Sequence, residues 1–332
     1  MHAYDLQARV PRQGVPAPQW VTHELFEQQL TRLQEQVTDP VAGLFGPESM
    51  MWRVGRCHLP AVLGSGRALL LQIAHPWVRQ GVDHHSSTRR DPIGRARGTF
   101  TSVLSMTLGS LPQALSAARA LHKRHDKVQG RLDSNAGGFK AGEIYGANEV
   151  NALVWVHATL WHSLLRMYEL VVEQLSDADR ERYYEETKRF AHLFGIPEAA
   201  LPPDWSTFEE YNERMYASEQ LAVTPETLEL AKFLYRPLTP MLKPIMQWGE
   251  MMTAASLPPN LTRQFELPHS ASTPDEFNRT VKRFRALHRR LPDRLRYSPT
   301  YFEALARIEG RRSDLLTRLW TRATLGRWTL VG

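Results

Sequence analysis

Apolar residues recur at three- and four-residue steps along most of the chain, which is the spacing of amphipathic α-helices. Strand signals, such as alternating Val, Ile and Thr runs or Asn-Gly and Asp-Gly turns, are nearly absent. The pattern predicts an all-helical fold, a single large multi-helix domain of about ten or more helices. The expected helices are 20–37, 48–58, 64–88, 92–108, 112–126, 148–175, 177–194, 207–221, 225–235, 239–254, 274–290 and 299–322.

The helical pattern divides into three parts. Residues 1–40 are predicted to be an N-terminal helical extension, 41–300 the main domain and 301–332 a C-terminal helix. Asp91-Pro92 is typical of a helix start, because an N-cap acceptor precedes a proline at the first helical position. Asn148 is expected to cap the longest helix, and Ser206 or Thr207 the next but one. The stretch from Gln129 to Tyr145, rich in Gly, Ser and Asn, is expected to be a loop and a lid.

Composition narrows the class of protein. With 332 residues, 42% of them hydrophobic, the chain can bury a large core. Its one cysteine, Cys57, excludes internal disulfides, Cys-rich zinc and iron–sulfur sites, and covalent haem attachment through Cys-x-x-Cys-His. A reducing compartment and a cytoplasmic location are therefore expected, and Met1 to Trp20 carries no signal-peptide pattern. Polar residues interrupt the most apolar stretch, Leu59 to Val82, which predicts a buried helix and no membrane span.

Positive charge is concentrated near the C-terminus. The net charge is +6, and the run from Arg279 to Arg296 holds seven Arg and one Lys against one acid, Asp293. Such a run can contact nucleic acid or an anionic membrane surface, or it can form a solvated helix face. Few aromatic residues interleave with it, which favours the solvated face, and no nucleic-acid partner is predicted.

His157 lies on an apolar helix face. Val154, His157 and Trp161 follow one another at three- and four-residue steps, so His157 is expected to point into the core. One interpretation is a core histidine bonded to a carbonyl group, which the residues alone favour. The other is an axial ligand of haem in an apolar pocket.

Three further histidine motifs are less specific. His75 precedes Pro76 in a buried apolar helix, where it either satisfies a carbonyl freed by the proline or faces a cavity. His84 and His85 are adjacent, about 100° apart on a helix, so they are not expected to bind one ion together. His122 and His125 are three residues apart among Lys and Arg, which favours a solvated basic face.

Arg95 and Thr99 are four residues apart on the helix that Asp91-Pro92 opens, and so share a face. Beside a haem or an anionic substrate, Arg95 could bind a propionate or stabilise charge on oxygen. His-Glu-x-x-His, Gly-x-Ser-x-Gly, Walker A and Gly-x-Gly-x-x-Gly are all absent from the sequence.

Five short motifs follow one another in order along the chain: Gly43–Pro47, Leu69–Pro76, Gly81–Ser86, Asp91–Arg95 and Trp155–Thr159. Together they resemble the DUF2236 family, also called the MpaB-type oxygenases or the rubber-oxygenase catalytic domain, which includes the latex-clearing proteins. The resemblance runs from about residue 43 to about residue 300. It implies an all-helical fold that encloses non-covalent haem b.

The resemblance also implies roles for individual residues. His157 matches the family's haem ligand and would hold the iron, with Trp161 beside the cofactor. Arg95 and Thr99 look like the distal pair near dioxygen. His75 and His85 match family histidines, so that His75 becomes a catalytic candidate and His85 a cofactor-binding one.

Three hypotheses follow. The first is a haem b-dependent oxygenase that acts on an apolar substrate, such as an isoprenoid, with dioxygen. The second is a haem carrier or sensor, with His75 as a second axial ligand. The third is a basic interaction protein that uses Arg279 to Arg296. Gly98 stands where the latex-clearing branch carries a lysine, a departure that bears on rubber cleavage and leaves the implied haem binding intact. No pattern indicates an electron donor or an oligomeric state.

Overall fold

The computed structural model describes residues 19–236, 243–267 and 274–330. Within these ranges the chain forms 16 α-helices and one two-stranded hairpin, which confirms the all-helical fold. The helices are α1 His23–Gln36, α2 Met50–Gly55, α3 His58–Ala74, α4 Pro76–His85, α5 Pro92–Leu108, α6 Leu111–His125, α7 Val150–Val171, α8 Asp177–His192, α9 Trp205–Ala217, α10 Pro225–Leu234, α11 Lys243–Ser256, α12 Pro259–Gln264, α13 Pro274–Arg290, α14 Asp293–Arg296, α15 Pro299–Ile308 and α16 Leu315–Leu325. The strands are β1 Gln129–Arg131 and β2 Ile144–Gly146. Residues 1–18 and 239–242, for which helical structure was predicted in part, lie outside the described ranges.

Two helices predicted as continuous are each broken in two. The helix predicted at 64–88 is interrupted at His75, which has an extended backbone (φ −82°, ψ 119°) because the proline that follows disfavours a helical residue before it. The helix predicted at 299–322 ends at Ile308, and Gly310 then takes a left-handed conformation (φ 67°) that reverses the chain. At both breaks the local backbone conformation is not helical, although the spacing of apolar residues predicts a continuous helix.

The stretch predicted as a loop and a lid, 129–145, is a loop over residues 132–143, and two short strands at its ends make it a packed hairpin. β1 and β2 pair antiparallel, with Gly130 opposite Tyr145. Leu132, Phe139 and Tyr145 are each at most 3% exposed and pack with Trp77 of α4. The lid interpretation is therefore wrong, because these apolar side chains attach the segment to the core.

The centre of the fold is the packing of α3 against α7. Their axes approach closely at Gly64, where an added Cβ would lie 3.0 Å from the Ser163 carbonyl oxygen. The Trp155 indole donates a hydrogen bond to the Leu71 carbonyl oxygen (3.1 Å) and is fully buried. α7 is 22 residues long and is buried along most of its length. The other helices therefore pack around α7.

Helix starts follow the chemistry of N-caps, although not always at the predicted residue. Asp91 accepts a hydrogen bond from the Gly94 amide (2.8 Å), as predicted. The cap of α7 is Glu149 rather than Asn148, since the Glu149 carboxylate accepts from the Ala152 amide (2.7 Å). The cap of α9 is Asp204 rather than Ser206 or Thr207.

Gly43, in the first of the five motifs, permits a close backbone approach that no other residue would allow. Its φ is +91°, and a Cβ would lie 2.0 Å from the Gly109 carbonyl oxygen. We expect Gly43→Ala to lower the free energy of unfolding by about 2–4 kcal/mol, measured by urea denaturation. The control is Gly55→Ala in α2, where an added Cβ meets nothing within 4 Å. The control should be neutral or stabilise by up to about 1 kcal/mol; equal losses in the two variants would contradict the assignment.

Candidate functional site

Arg95 and Thr99 form a fixed pair on α5. The Arg95 guanidinium donates to the hydroxyl oxygen of Thr99 and, through Nε, to Ser86 Oγ (2.9 Å). The Thr99 hydroxyl donates in turn to the Arg95 carbonyl oxygen (3.1 Å). The predicted contact across one helical turn is therefore present, and it holds the guanidinium in one orientation.

A second guanidinium, that of Arg124, lies near Arg95 on the facing helix α6. Arg124 donates to Ser102 Oγ on α5 (3.2 Å). Arg95 is solvent-accessible, yet burial by surrounding protein and then the charge of Arg124 lower its pKa. Both properties describe a guanidinium at the surface with other groups close by, and we refer to the surface around Arg95, Arg124 and His125 as the α5–α6 cleft. Among the described residues, no carboxylate lies within ion-pair distance of either arginine, so the cleft presents two unneutralised cations to an anion.

His125 ends α6 and borders the same cleft. Burial and, after it, the charges of Arg124, His122 and Arg95 lower its pKa from 6.5 to about 4. The Asn148 side chain acts in the opposite direction, as a hydrogen-bond acceptor of the imidazole would. Asn148 Nδ2 donates to Asp126 Oδ1 (2.7 Å), which leaves the amide oxygen to accept from His125. The second ring nitrogen of a neutral imidazole bonded in this way carries a lone pair.

The space beside these groups is open on the α5 side. An added Cβ on Gly98 would meet nothing within 4 Å. His125 also lines a narrow gap with Leu121, Asn148 and Phe194, among others, which has no room for a water molecule. That gap is far smaller than the several hundred Å³ of a cofactor-sized pocket. A large planar ligand would therefore have to lie toward Gly98.

His157 is buried on α7, as its helix face predicted, but it faces α8. Its Nε2 lies 2.8 Å from the Thr187 carbonyl oxygen, and burial lowers its pKa to about 4. The charge of His192 also lowers the pKa of His157, whereas Arg95 has no effect on it. Trp161, one turn further along, packs edge-on against Phe190 with ring centroids 4.7 Å apart. The role of His157 as a haem ligand stays a prediction, since the structure places it in a carbonyl-bonded core position.

His75 and His85 lie in different places again. His75 is 3% exposed at the junction of α3 and α4, where it packs on Phe139 with ring centroids 5.0 Å apart. No partner among the described residues bonds to its Nδ1. His85 is exposed at the end of α4 and lies 3.0 Å from the Tyr145 hydroxyl of β2. Neither has a ring contact with His125 or His157.

The interpretation of His122 and His125 as a solvated basic face is wrong. His122 is 5% exposed and stacks on Phe26 with ring centroids 4.1 Å apart. It continues the apolar stripe of Leu111, Leu115 and Ala118 at helical spacing, a signal that the sequence contains. The proximity of His125 to Arg95 has no such local signal, because it depends on how α5 packs against α6.

The buried histidines predict a pH-dependent stability. His75, His157 and His162 have pKa values lowered by burial to about 4 from an ordinary value of 6.5. The unfolded chain therefore binds protons that the folded chain excludes, and stability is lost as pH falls from about 6.5 toward 4. Urea titrations of the cofactor-free protein at pH 7, 6 and 5 should show a decline of up to about 1.4 kcal/mol per pH unit per histidine. His84→Gln, at an exposed histidine, should leave the slope unchanged; constant stability over this range would contradict the prediction.

Comparisons with known proteins identify the family of the chain. A family model matches residues 52–291 of the 332. The helical fold and this match define the class as an oxygenase catalytic domain. The chain belongs to the family described as ER-bound oxygenase mpaB/B'/Rubber oxygenase, catalytic domain.

Two curated relatives are uncharacterized proteins of Mycobacterium bovis and Mycobacterium tuberculosis. Each is 25% identical over 234 residues, which cover 68% of this chain and 88% of the relative. No solved structure matches the chain significantly. Within the described residues, no helix is long and apolar enough to cross a membrane, and no cluster of three His, Cys, Asp or Glu side chains is arranged to hold a metal ion.

Proposed function

We propose that this protein is a haem b-dependent oxygenase that acts on an apolar substrate with dioxygen. The observation that carries the proposal is the placement of Arg95 on α5 near Arg124 and His125 on α6, two helices joined by the Arg124–Ser102 hydrogen bond, in a chain of an oxygenase family. We further propose that residues 41–300 form the catalytic domain and that the protein is cytoplasmic.

The donor set of the cleft fits haem b. Of the two guanidiniums without carboxylate partners, that of Arg124 would bind a propionate of the porphyrin, which leaves that of Arg95 for the dioxygen side. A neutral imidazole whose other nitrogen is already hydrogen-bonded is the usual form of a histidine iron ligand. The open space at Gly98 leaves room that a larger side chain would fill. When bound, haem would supply the iron that activates dioxygen.

We infer that His125, rather than His157, is the iron ligand. Asn148, held by Asp126, would fix the tautomer and plane of the His125 ring. His157 would first have to give up its hydrogen bond to the Thr187 carbonyl and would leave that buried oxygen without its donor. In this interpretation, His157 in the Trp155–Thr159 motif is a histidine of the core and not the iron ligand.

Arg95 contributes charge and orientation to the reaction. Its guanidinium is held by Ser86 and Thr99 before any substrate binds, so it needs no reorganisation during the reaction. It would stabilise negative charge that develops on oxygen. Thr99 is a positioning residue, because its hydroxyl proton is already donated to the Arg95 carbonyl oxygen.

The proposed activity is tested by oxygen consumption of haem-loaded protein with apolar substrates of increasing length, such as linear isoprenoids and fatty acids. We expect substrate-dependent consumption with at least one class, and incorporation of labelled oxygen into the product. A haem-loaded protein that consumes no oxygen, and whose ferrous spectrum carbon monoxide does not shift, would overturn the oxygenase and favour the carrier or sensor with two axial ligands.

A further inference from the structure

The C-terminal helix α16 has an inverted arrangement of polar and apolar residues. Its buried residues are threonines, Thr317 at 3% and Thr321 at 0% exposure. Leu315, Leu316 and Leu319 are 65%, 58% and 47% exposed. A surface helix normally buries its leucines and exposes its threonines. The energetic cost of this reversal calls for a partner that covers the leucines.

The same region concentrates the exposed apolar side chains of the molecule. Of the nine large hydrophobic residues that are exposed in the described ranges, six lie between residues 287 and 328. These six are Leu287, Leu295, Leu315, Leu316, Leu319 and Trp328. Leu295 adjoins Arg294, whose guanidinium bonds to Thr317 of α16 (2.7 Å), so α14 and α16 meet at one surface. Scattered single exposures would need no explanation, but a concentration of this kind marks an interaction site.

The region also holds the net positive charge of the protein. Residues 274–330 contain 14 Lys and Arg against six Asp and Glu, an excess of eight, whereas the whole chain has an excess of only six. The rest of the chain is therefore slightly acidic. On α16, Arg318 and Arg322 lie along one edge of the leucine stripe, between it and the buried Thr321. Their guanidiniums lie 5.8 Å and 4.8 Å from the centroid of the Trp328 ring.

We propose that α16 and the adjoining α14 form a peripheral docking face for an anionic lipid bilayer. An in-plane amphipathic helix with leucines on one side and arginines at its edge, followed by an exposed tryptophan, matches the interface between headgroups and acyl chains. Anionic headgroups complement the excess of positive charge. A second copy of the chain would bring an equal excess of positive charge against it, and nucleic acid would leave the leucines uncovered.

The docking face is close to the candidate site. Arg97 of α5 donates to the carbonyl oxygens of Ala323 (3.1 Å) and Thr324 (3.3 Å) at the end of α16. α5 also carries Arg95 and Gly98. If the proposed function holds, an apolar substrate dissolved in the bilayer would reach the cleft from the adjacent face; the docking itself does not depend on that function.

Vesicle flotation of the full chain tests the proposal. The wild type should float with vesicles of phosphatidylcholine and phosphatidylserine, and at least about tenfold less with phosphatidylcholine alone. The triple variant L315S/L316S/L319S should lose binding by at least about tenfold, because its apolar face is gone. R318Q/R322Q should weaken binding to the anionic vesicles only.

The matched control is Val62→Ser, at a valine of α3 that is 48% exposed and distant from α16 in sequence. It should bind vesicles as the wild type does, and circular dichroism should show that all variants keep their helices. Failure of the wild type to bind either vesicle, or binding that the triple variant retains, would overturn the proposal. So would a dimer in light scattering that the triple variant dissociates, since a second copy would then cover the leucines. None of these readouts requires haem or turnover, so failure here leaves the oxygenase proposal intact.

Discussion

His125→Ala should lose haem binding, whereas His157→Ala should retain it. In the α5–α6 cleft, His125 is the imidazole held by Asn148 and close to two unneutralised arginines. Its removal takes away the proposed iron ligand, so the Soret band of the reconstituted protein should disappear or shift to that of free haem. Absorption spectra of equal amounts of each variant, reconstituted side by side, measure the difference.

Two controls separate ligation from folding. His157→Ala removes a buried side chain bonded to the Thr187 carbonyl oxygen and should cost stability without removing the Soret band. Added imidazole should restore the Soret band of His125→Ala if the rest of the site is intact. Loss of the band in His157→Ala, with the band retained in His125→Ala, would return the ligand to His157 and contradict our assignment.

Arg95→Leu should reduce turnover by a factor of about 100–1000 while haem binding through His125 persists. The guanidinium is already oriented by Ser86 and Thr99, so its loss removes a preorganised charge rather than a flexible contact. Steady-state oxygen consumption of haem-loaded protein, expressed as kcat and KM, measures the effect. We expect the loss mainly in kcat.

Arg97→Leu is the matched control, since it removes a guanidinium from the same helix two residues away. Arg97 bonds to the end of α16 instead of facing the cleft. We expect it to weaken the attachment of α16 and to leave kcat within a few-fold of the wild type. Equal losses in the two variants would mean that general damage to α5, and not the position of Arg95, explains the effect.

Much of the helical architecture can be predicted from the apolar period, because each amphipathic helix must bury its stripe. The predicted helix at 274–290 coincides with α13. The errors arise where a local backbone preference interrupts the period, as at His75 before Pro76 and at Gly310. The hairpin at 129–146 was missed since strands of three residues are too short for an alternating pattern to emerge.

The spacing of apolar residues identifies the apolar face of a helix, but it does not show whether that face packs in the core or is exposed to solvent. The apolar face that carries His157 does pack in the core, and the predicted burial of His157 is confirmed. The apolar face of α16 does not, because the leucines point outward and Thr317 and Thr321 point inward. The period alone would have assigned the leucines to the core.

The candidate site could be predicted only in part. The Arg95–Thr99 contact follows from sequence spacing, because residues four apart are neighbours on the surface of any α-helix. The position of His125 beside Arg95 joins two helices, and that proximity depends on tertiary packing. A basic environment that suggested solvent turns out to be a cleft, since Arg124 lies across from Arg95 on the facing helix.

The most direct test of the central claim is a titration of haem b into the purified wild-type protein, followed by absorption spectroscopy before and after dithionite and carbon monoxide. The account predicts a saturable Soret band at equimolar haem, distinct from free haem, that shifts when carbon monoxide binds the ferrous form. A spectrum that stays equal to that of free haem throughout the titration would contradict it.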